Sequence, residues 1–256
     1  MATTKSAGRR TAFVTGASYG VGAATALALA HDGYDVAVSA TRAENLGEIV
    51  PKLAAAGARA LPLVLDLRSQ ASIEQAMADI LKAFGVLDVL VNNAGANLRR
   101  LAADVTRAEW DAQMATNLTG TFFMTQQVGR HLIGGGRPGA IISLASTHAL
   151  IGAPERSTYG ISKAGLVQMT RMLAIEWAQY GIRVNAIAPG RMDTPSPSRA
   201  DTGADPKYMQ AMLDRIPLHR LATADEVAAA ICYLAGPQAA SVTGQILVLD
   251  GGLTAA

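Results

Sequence analysis

The sequence predicts a doubly wound α/β fold, a seven-stranded parallel sheet with helices on both faces, in one domain spanning 1–256. Three observations carry this expectation. Short apolar runs alternate with longer stretches of helical periodicity along the chain. Several runs are almost unbroken, as in Gln245-Ile-Leu-Val-Leu, which is the pattern of parallel strands covered on both sides. Half of the 256 residues are apolar and 16% are charged, enough for one large core, and no linker or repeat divides the chain.

Taken in order, Thr11-Ala-Phe-Val-Thr reads as a buried strand over 11–15 that runs through glycines into the alanine-rich helix 21–32. Strands follow at 35–40, 60–65, 87–91, 139–144, 182–187 and 245–249, with helices at 43–56, 70–84, 107–132, 157–180 and 223–235. Gly134-Gly-Gly-Arg-Pro-Gly139 breaks the chain between a helix and the fifth strand. Residues 191–217 hold Pro195, Pro197, Pro206 and Pro217 and read as a long loop, with a short helix near 206–214. Loops of that length in a compact domain serve as lids or binding segments, so a substrate lid is expected there.

Composition narrows the function. A net charge of +2, with no basic run longer than two residues, gives no footprint for nucleic acid or a membrane surface. One cysteine, Cys232, on an apolar helix, and four histidines are too few for a disulfide or a zinc site, so no metal is expected. The N-terminal residues lack an apolar signal core and no run of eighteen apolar residues exists, which leads us to expect a cytoplasmic protein.

Two motifs carry chemistry. Gly16-Ala-Ser18-Tyr19-Gly20-Val21-Gly22 lies between a strand and a helix, where glycines allow close backbone approach and the helix start offers free N–H groups to phosphate. Its spacing is neither Gly-x-Gly-x-x-Gly nor that of a nucleoside-triphosphatase loop. Tyr159 and Lys163 stand four residues apart, on one face of a helix, with Ser146 thirteen residues before the tyrosine. A free phenol has a pKa of about 10, and a nearby cation lowers it toward the range useful for general acid–base work. Ser146 sits in Leu144-Ala-Ser-Thr-His, which is no Gly-x-Ser-x-Gly elbow, so a serine hydrolase is disfavoured.

With Asp66, Asn92-Asn-Ala-Gly95, Asn117, Pro189-Gly190 and Asp250-Gly-Gly252 in the same order, the chain resembles the short-chain dehydrogenase/reductase family over nearly its whole length. The resemblance implies a Rossmann fold and NAD(P)-dependent interconversion of a secondary alcohol and a ketone. It implies that Tyr159 transfers the proton, Ser146 orients the substrate oxygen, Lys163 lowers the tyrosine pKa and holds the nicotinamide ribose, and Asn117 helps carry a water-mediated proton path. Cofactor contacts are expected from Gly16, Ser18, Tyr19, Gly20, Val21, Gly22, Thr41, Arg42, Asp66, Leu67, Asn93, Ala94, Gly95, Tyr159, Lys163, Pro189, Gly190, Met192 and Thr194. Ala40 stands where NAD-selective enzymes place an acid, and Arg42 is suited to a 2′-phosphate. NADP(H) is therefore expected, with NAD(H) as the alternative.

The substrate side is expected to include Ser146, His148, Arg156 and Tyr159, in a pocket bordered by Asn97, Arg99 and Glu155. These suit a small polar hydroxy or keto compound. The alternative is a 3-oxoacyl-thioester reductase. Arg137 matches one of the two arginines that such relatives use to attract an acyl carrier, but Tyr180 stands at the place of the second. A cofactor-binding regulator without turnover is the reading from another class, and the complete Asn117, Ser146, Tyr159 and Lys163 set speaks against it. Family resemblance also implies self-association as a homotetramer or homodimer. Apolar Leu166, Met169, Leu173 and Trp177, beside Val167 and Ile175, make helix 157–180 broader in apolar surface than one sheet-facing stripe needs.

Overall fold

The computed structural model describes residues 9–193 and 206–256. Its elements are β1 (Thr11–Val14), α1 (Gly20–His31), β2 (Asp35–Ala40), α2 (Ile49–Ala55), β3 (Ala60–Val64), α3 (Gln70–Phe84), β4 (Val89–Asn92), α4 (Arg107–Met114) and α5 (Thr121–Gly134). They continue with β5 (Gly139–Leu144), α6 (Ser157–Trp177), β6 (Ile182–Pro189), β7 (Met192–Asp193), α7 (Pro206–Leu213), β8 (Ala222–Thr223), α8 (Ala224–Ala235) and β9 (Ile246–Leu249).

Seven strands form one sheet in the order β3-β2-β1-β4-β5-β6-β9. All its pairings are parallel, for instance Val14 opposite Val38 and Val91, and Leu144 opposite Ile187. Alternation within each strand divides the core in two. Ala12, Val14, Val36, Val38, Val89, Val91, Ala140 and Ile142 face α1, α2 and α8. Phe13, Ala37, Leu90 and Ile141 face α3, α5 and α6 on the other side. The expected doubly wound fold is what forms. The order reverses between β1 and β4, which opens a crevice at the carboxyl ends of the strands.

Local chemistry sets several boundaries. Ser69 caps α3 by accepting from the Ser72 N–H, and Gly85 ends it in the left-handed region at φ 78°. Thr106 with Glu109, and Thr223 with Glu226, form capping boxes at the starts of α4 and α8.

Four expectations on the elements are corrected. The stretch 43–56 is not one helix but a 3₁₀ turn, Ala43–Leu46, followed by α2. Starting α2 at Ile49 puts Pro51 in the first turn, where its missing N–H leaves no bond unmade. The stretch 107–132 is likewise broken, by a π turn at Ala115–Gly120. There Gly120 passes so close to β3's end that a Cβ would lie 2.1 Å from the Leu67 carbonyl oxygen. Helix α6 stops at Trp177, a 3₁₀ turn covers Ala178–Tyr180, and Gly181 turns the chain at φ 71°. Finally, β7 pairs with β8 in a separate two-stranded sheet that no two-residue apolar pattern could announce.

Helix α7 falls where the short helix was expected, whereas residues 194–205 of the anticipated lid lie outside the described residues. Leu166, Met169 and Leu173 are buried in the protein's own core. The surplus apolar surface lies instead on Ile161, Met172 and Ile175 of α6 and on Phe122 and Phe123 of α5.

Candidate active site

A cavity of about 830 Å³ opens at the carboxyl edge of the sheet. Of the expected residues it is lined by Tyr19, Val21, Asn93, Gly95, Ser146, His148, Arg156, Tyr159, Lys163, Pro189, Gly190 and Met192.

The glycine loop is shaped by close approach. Gly16 and Gly20 have φ of 66° and 59°, and a Cβ on Gly22 would lie 2.4 Å from the Gly16 carbonyl oxygen. Asn93 braces this loop: its Nδ2 donates to the carbonyls of Thr15 at 2.9 Å and Gly16 at 2.7 Å. The Thr15 hydroxyl in turn accepts from the N–H groups of Asn93 and Ala94, each at 3.0 Å. Asn93 thus ties β1's end to β4's end with the side chain that was expected to reach a cofactor. Helix α1 begins at Gly20 with no side-chain cap from Tyr19, so its first turn presents N–H groups to the cavity side. That cradle fits the pyrophosphate of a dinucleotide.

The other expected cofactor residues sit further along the edge. Ser18 is half-buried, and Thr41 and Arg42 are exposed just beyond β2. Asp66 is held by the Arg68 guanidinium through bonds of 2.8 and 2.9 Å, which keep its carboxyl below the usual range. Leu67 is buried in the core and so offers main chain rather than side chain. Thr194 lies outside the described residues.

The four candidate catalytic residues come from β5's end, α6 and the π turn. Ser146 follows β5, and its Oγ accepts from the His148 N–H at 3.2 Å, which leaves the hydroxyl proton for another acceptor. Tyr159 stands in the first turn of α6, with the His148 ring edge-on at 6.1 Å between centroids. Lys163, one turn on, is buried, and its Nζ donates to the Leu144 carbonyl at 2.6 Å. It lies 5.8 Å from the Tyr159 ring centroid. Burial brings its ammonium down to about 8.

Asn117 is wholly buried, and its side chain is fully engaged. Its Oδ1 accepts from the Ala96 N–H at 2.7 Å, while Nδ2 donates to the Ala96 carbonyl at 2.9 Å and to Ser162 Oγ at 3.1 Å. Ser162 donates to the Tyr159 carbonyl at 2.7 Å. Asn117 therefore links the loop after β4 to the turn of α6 that carries Tyr159.

Sequence reasoning missed Ser162, though it lies between the two motif residues, and Gln113. The Gln113 side chain accepts from the Leu98 N–H and donates to the Ala96 carbonyl. Its position four residues before Asn117 was the available signal. Arg191 and Arg215, which also line the cavity, were missed as well. Asp250, in the late glycine motif, accepts from the Gly252 and Thr254 N–H groups and backs Gly190, where a Cβ would meet its own at 2.9 Å.

Among the described residues there is no cluster of side chains that could hold a metal ion, and no helix is long and apolar enough to cross a membrane. Burial raises the Cys232 thiol to about 12, far from a reactive thiolate.

A family model described as enoyl-(acyl carrier protein) reductase matches residues 16–254. The chain is 36% identical to the 3-oxoacyl-[acyl-carrier-protein] reductase of Thermotoga maritima, over 94% of this chain and 96% of that protein. A putative short-chain alcohol dehydrogenase from Sinorhizobium meliloti superposes with a TM-score of 0.93 at 39% identity, covering 96% of this chain and 97% of the other. A putative 2-deoxy-D-gluconate 3-dehydrogenase from Agrobacterium tumefaciens, solved with bound NADP, does so at 0.88 and 36% identity, covering 96% and 97%. The chain belongs to the short-chain dehydrogenase/reductase family. With that membership goes the reaction class, NAD(P)-dependent interconversion of a secondary alcohol and a ketone.

The lowered pKa of Lys163 has a measurable consequence. Unfolded, the lysine keeps its proton to about 10.5, whereas folded it releases it near 8. Between those values the unfolded chain binds more protons, so this group makes stability rise with pH. Denaturant unfolding of the cofactor-free protein should show wild type gaining about 3 kcal/mol on Lys163→Met between pH 8 and 10.5. A flat difference across that window would place the ammonium in water.

Proposed function

We propose that the protein is an NADP(H)-preferring dehydrogenase/reductase of a small polar hydroxy or keto compound, with Tyr159 as its general acid–base. The observation that carries this reading is the meeting of Ser146, Tyr159 and buried Lys163 in one cavity beside the braced glycine loop. When bound, the nicotinamide supplies or accepts the hydride. In the reductive direction, Tyr159 gives its phenolic proton to the substrate oxygen as charge develops there. Ser146, whose Oγ already accepts from the backbone, donates its own proton in a hydrogen bond to the same oxygen. The Lys163 ammonium favours the phenolate left behind. Asn117 holds Ala96 and, through Ser162, the first turn of α6, so the donors keep their positions between turnovers.

Cofactor choice rests on the end of β2. Ala40 offers no carboxylate to a ribose 2′-hydroxyl, and Arg42 is exposed nearby with no side-chain partner among the described residues. The bound NADP of the Agrobacterium tumefaciens relative supports the same choice. A 3-oxoacyl-thioester reductase remains a second reading, favoured by the likeness to the Thermotoga maritima enzyme. Against it, Arg137 is paired with Asp88 at 3.2 Å and Tyr180 replaces the second arginine of a carrier-docking pair.

Self-association is proposed through α5 and α6. Ile175 is 80% exposed, with Ile161 and Met172 at about half, and an isologous pairing would cover all three.

Three outcomes are expected. Tyr159→Phe should lower kcat by about 10²–10⁴-fold while NADPH fluorescence titration shows unchanged cofactor binding. Near-normal turnover of a good substrate would remove the tyrosine from its role. Arg42→Ala should raise KM for NADPH more than for NADH, and a wild-type kcat/KM higher with NADH would show the β2 loop to be misread. Light scattering should give a multiple of 26.5 kDa, and a mass near one chain at micromolar concentration would rule the oligomer out.

A further inference from the structure

His148 is in contact with both residues whose hydroxyls the proposed reaction uses. Its N–H donates to Ser146 Oγ at 3.2 Å, and its ring stands edge-on to the Tyr159 ring, with 6.1 Å between centroids. Its main chain also rests on the first turn of α6, where a Cβ on Gly160 would lie 2.8 Å from the His148 carbonyl oxygen. The residue lines the same cavity as Ser146, Tyr159 and Lys163. A side chain anchored at these points adjoins whatever those two hydroxyls hold.

The proposed proton transfer gives the imidazole no task, yet its two nitrogens differ. Nδ1 is sealed from solvent and has no hydrogen-bond partner. The ring is neutral near pH 7, because burial and then the charge of Arg156 oppose its protonation. A neutral imidazole has one proton for two nitrogens. On Nδ1 that proton would be a buried donor with nothing to meet, and orphaned N–H groups are rarer in proteins than unmet acceptors. The proton therefore belongs on Nε2, at the end of the ring away from the main chain. The side chain is half-buried, and with Nδ1 sealed it is the Nε2 end that faces the cavity.

Resting on the function proposed above, we infer that His148 selects the substrate: its Nε2–H donates to an oxygen on the carbon next to the reacting one, so the enzyme takes α-hydroxy ketones and the matching 1,2-diols. The Ser146 and Tyr159 hydroxyls meet at the reacting oxygen, and a donor anchored on both residues reaches the adjoining carbon before a more distant one. A nitrogen that only donates matches a hydroxyl or carbonyl oxygen there. A methyl group in the same place leaves the N–H unmet, and that penalty is what separates the two substrates.

Nitrogen-resolved NMR of the NADP-loaded protein with isotope-labelled histidine reads which ring nitrogen carries the proton. The chain has four histidines, and the signal missing from His148→Gln assigns the one in question. The Nε2–H form is expected, and its resonance should move further with hydroxyacetone than with butanone, which carries a methyl group in place of the hydroxyl. In turnover, the ratio of kcat/KM for hydroxyacetone over butanone should fall about fivefold in His148→Leu. Comparing ratios between proteins cancels the intrinsic reactivity of the ketones. His148→Gln, whose amide reaches as far as Nε2, should keep most of the ratio, whereas His148→Asn, whose amide reaches only as far as Nδ1, should lose it. The ratio for 4-hydroxy-2-butanone over 2-pentanone, with the hydroxyl one carbon further away, should be alike in all four proteins. A proton on Nδ1, no response of Nε2 to hydroxyacetone at millimolar concentration, a wild-type ratio kept by His148→Leu, or an equal loss in the second pair would each overturn the inference. If Nε2 responds to hydroxyacetone while hydride transfer fails with every hydroxy and keto compound, the His148 contact stands and the proposed reaction falls.

Discussion

Seven strands that all run the same way leave every strand-to-helix connection at one end of the sheet. The rest of the molecule answers to that constraint. Both faces of the sheet are covered by helices, so most of its side chains are apolar and packed in two cores. Polar chemistry has only the carboxyl edge available to it. The glycine loop after β1, Asn93 after β4, Ser146 after β5 and Gly190 after β6 therefore converge without any one segment being long enough to build the site alone.

Convergence by itself would leave a row of loose loop ends. What fixes them is a set of side chains whose polar groups point back into the protein. Asn93 holds the first glycine turn, Gln113 and Asn117 hold Ala96 and Leu98, and Asp250 holds the turn behind Gly190. Each is buried or half-buried and bonded to main chain, where an amide or carboxylate satisfies groups that loops otherwise leave unmade. Lys163 shares this character, since the Leu144 carbonyl anchors its buried ammonium. The groups left for a substrate, the hydroxyls of Ser146 and Tyr159, are thus presented by a frame that has few polar groups of its own unsatisfied.

Much of this was legible in the sequence, and the limits have physical causes. Strands over 87–91 and 245–249 announce themselves because nearly unbroken apolar runs suit a sheet buried on both sides. The glycine loop and the Tyr159–Lys163 pair are legible because spacing along a chain becomes spacing on a helix or a turn. The motifs single out Asn93 and Asn117 as candidate site residues, but their role as braces is not legible there, since a motif gives a position and not the direction of a side chain. The β7–β8 pair left no trace because two residues have no period. The arginines of the cavity come from four separate segments, and only folding gathers them.

The π turn at Ala115–Gly120 constrains how the chain can vary in length. An α-helix advances about 100° per residue, so one residue more within a turn swings everything after it by that angle. Upstream, Gln113 points at the loop over the site; downstream, Met124, Val128 and Leu132 point at the sheet. Both orientations hold only while the turn keeps its extra residue. Loss of one residue between 115 and 120 would rotate the apolar face of α5 out of the core, although every amino acid in that face stayed the same. Insertions and deletions that exposed loops tolerate are thus barred from this one turn in the middle of a helix.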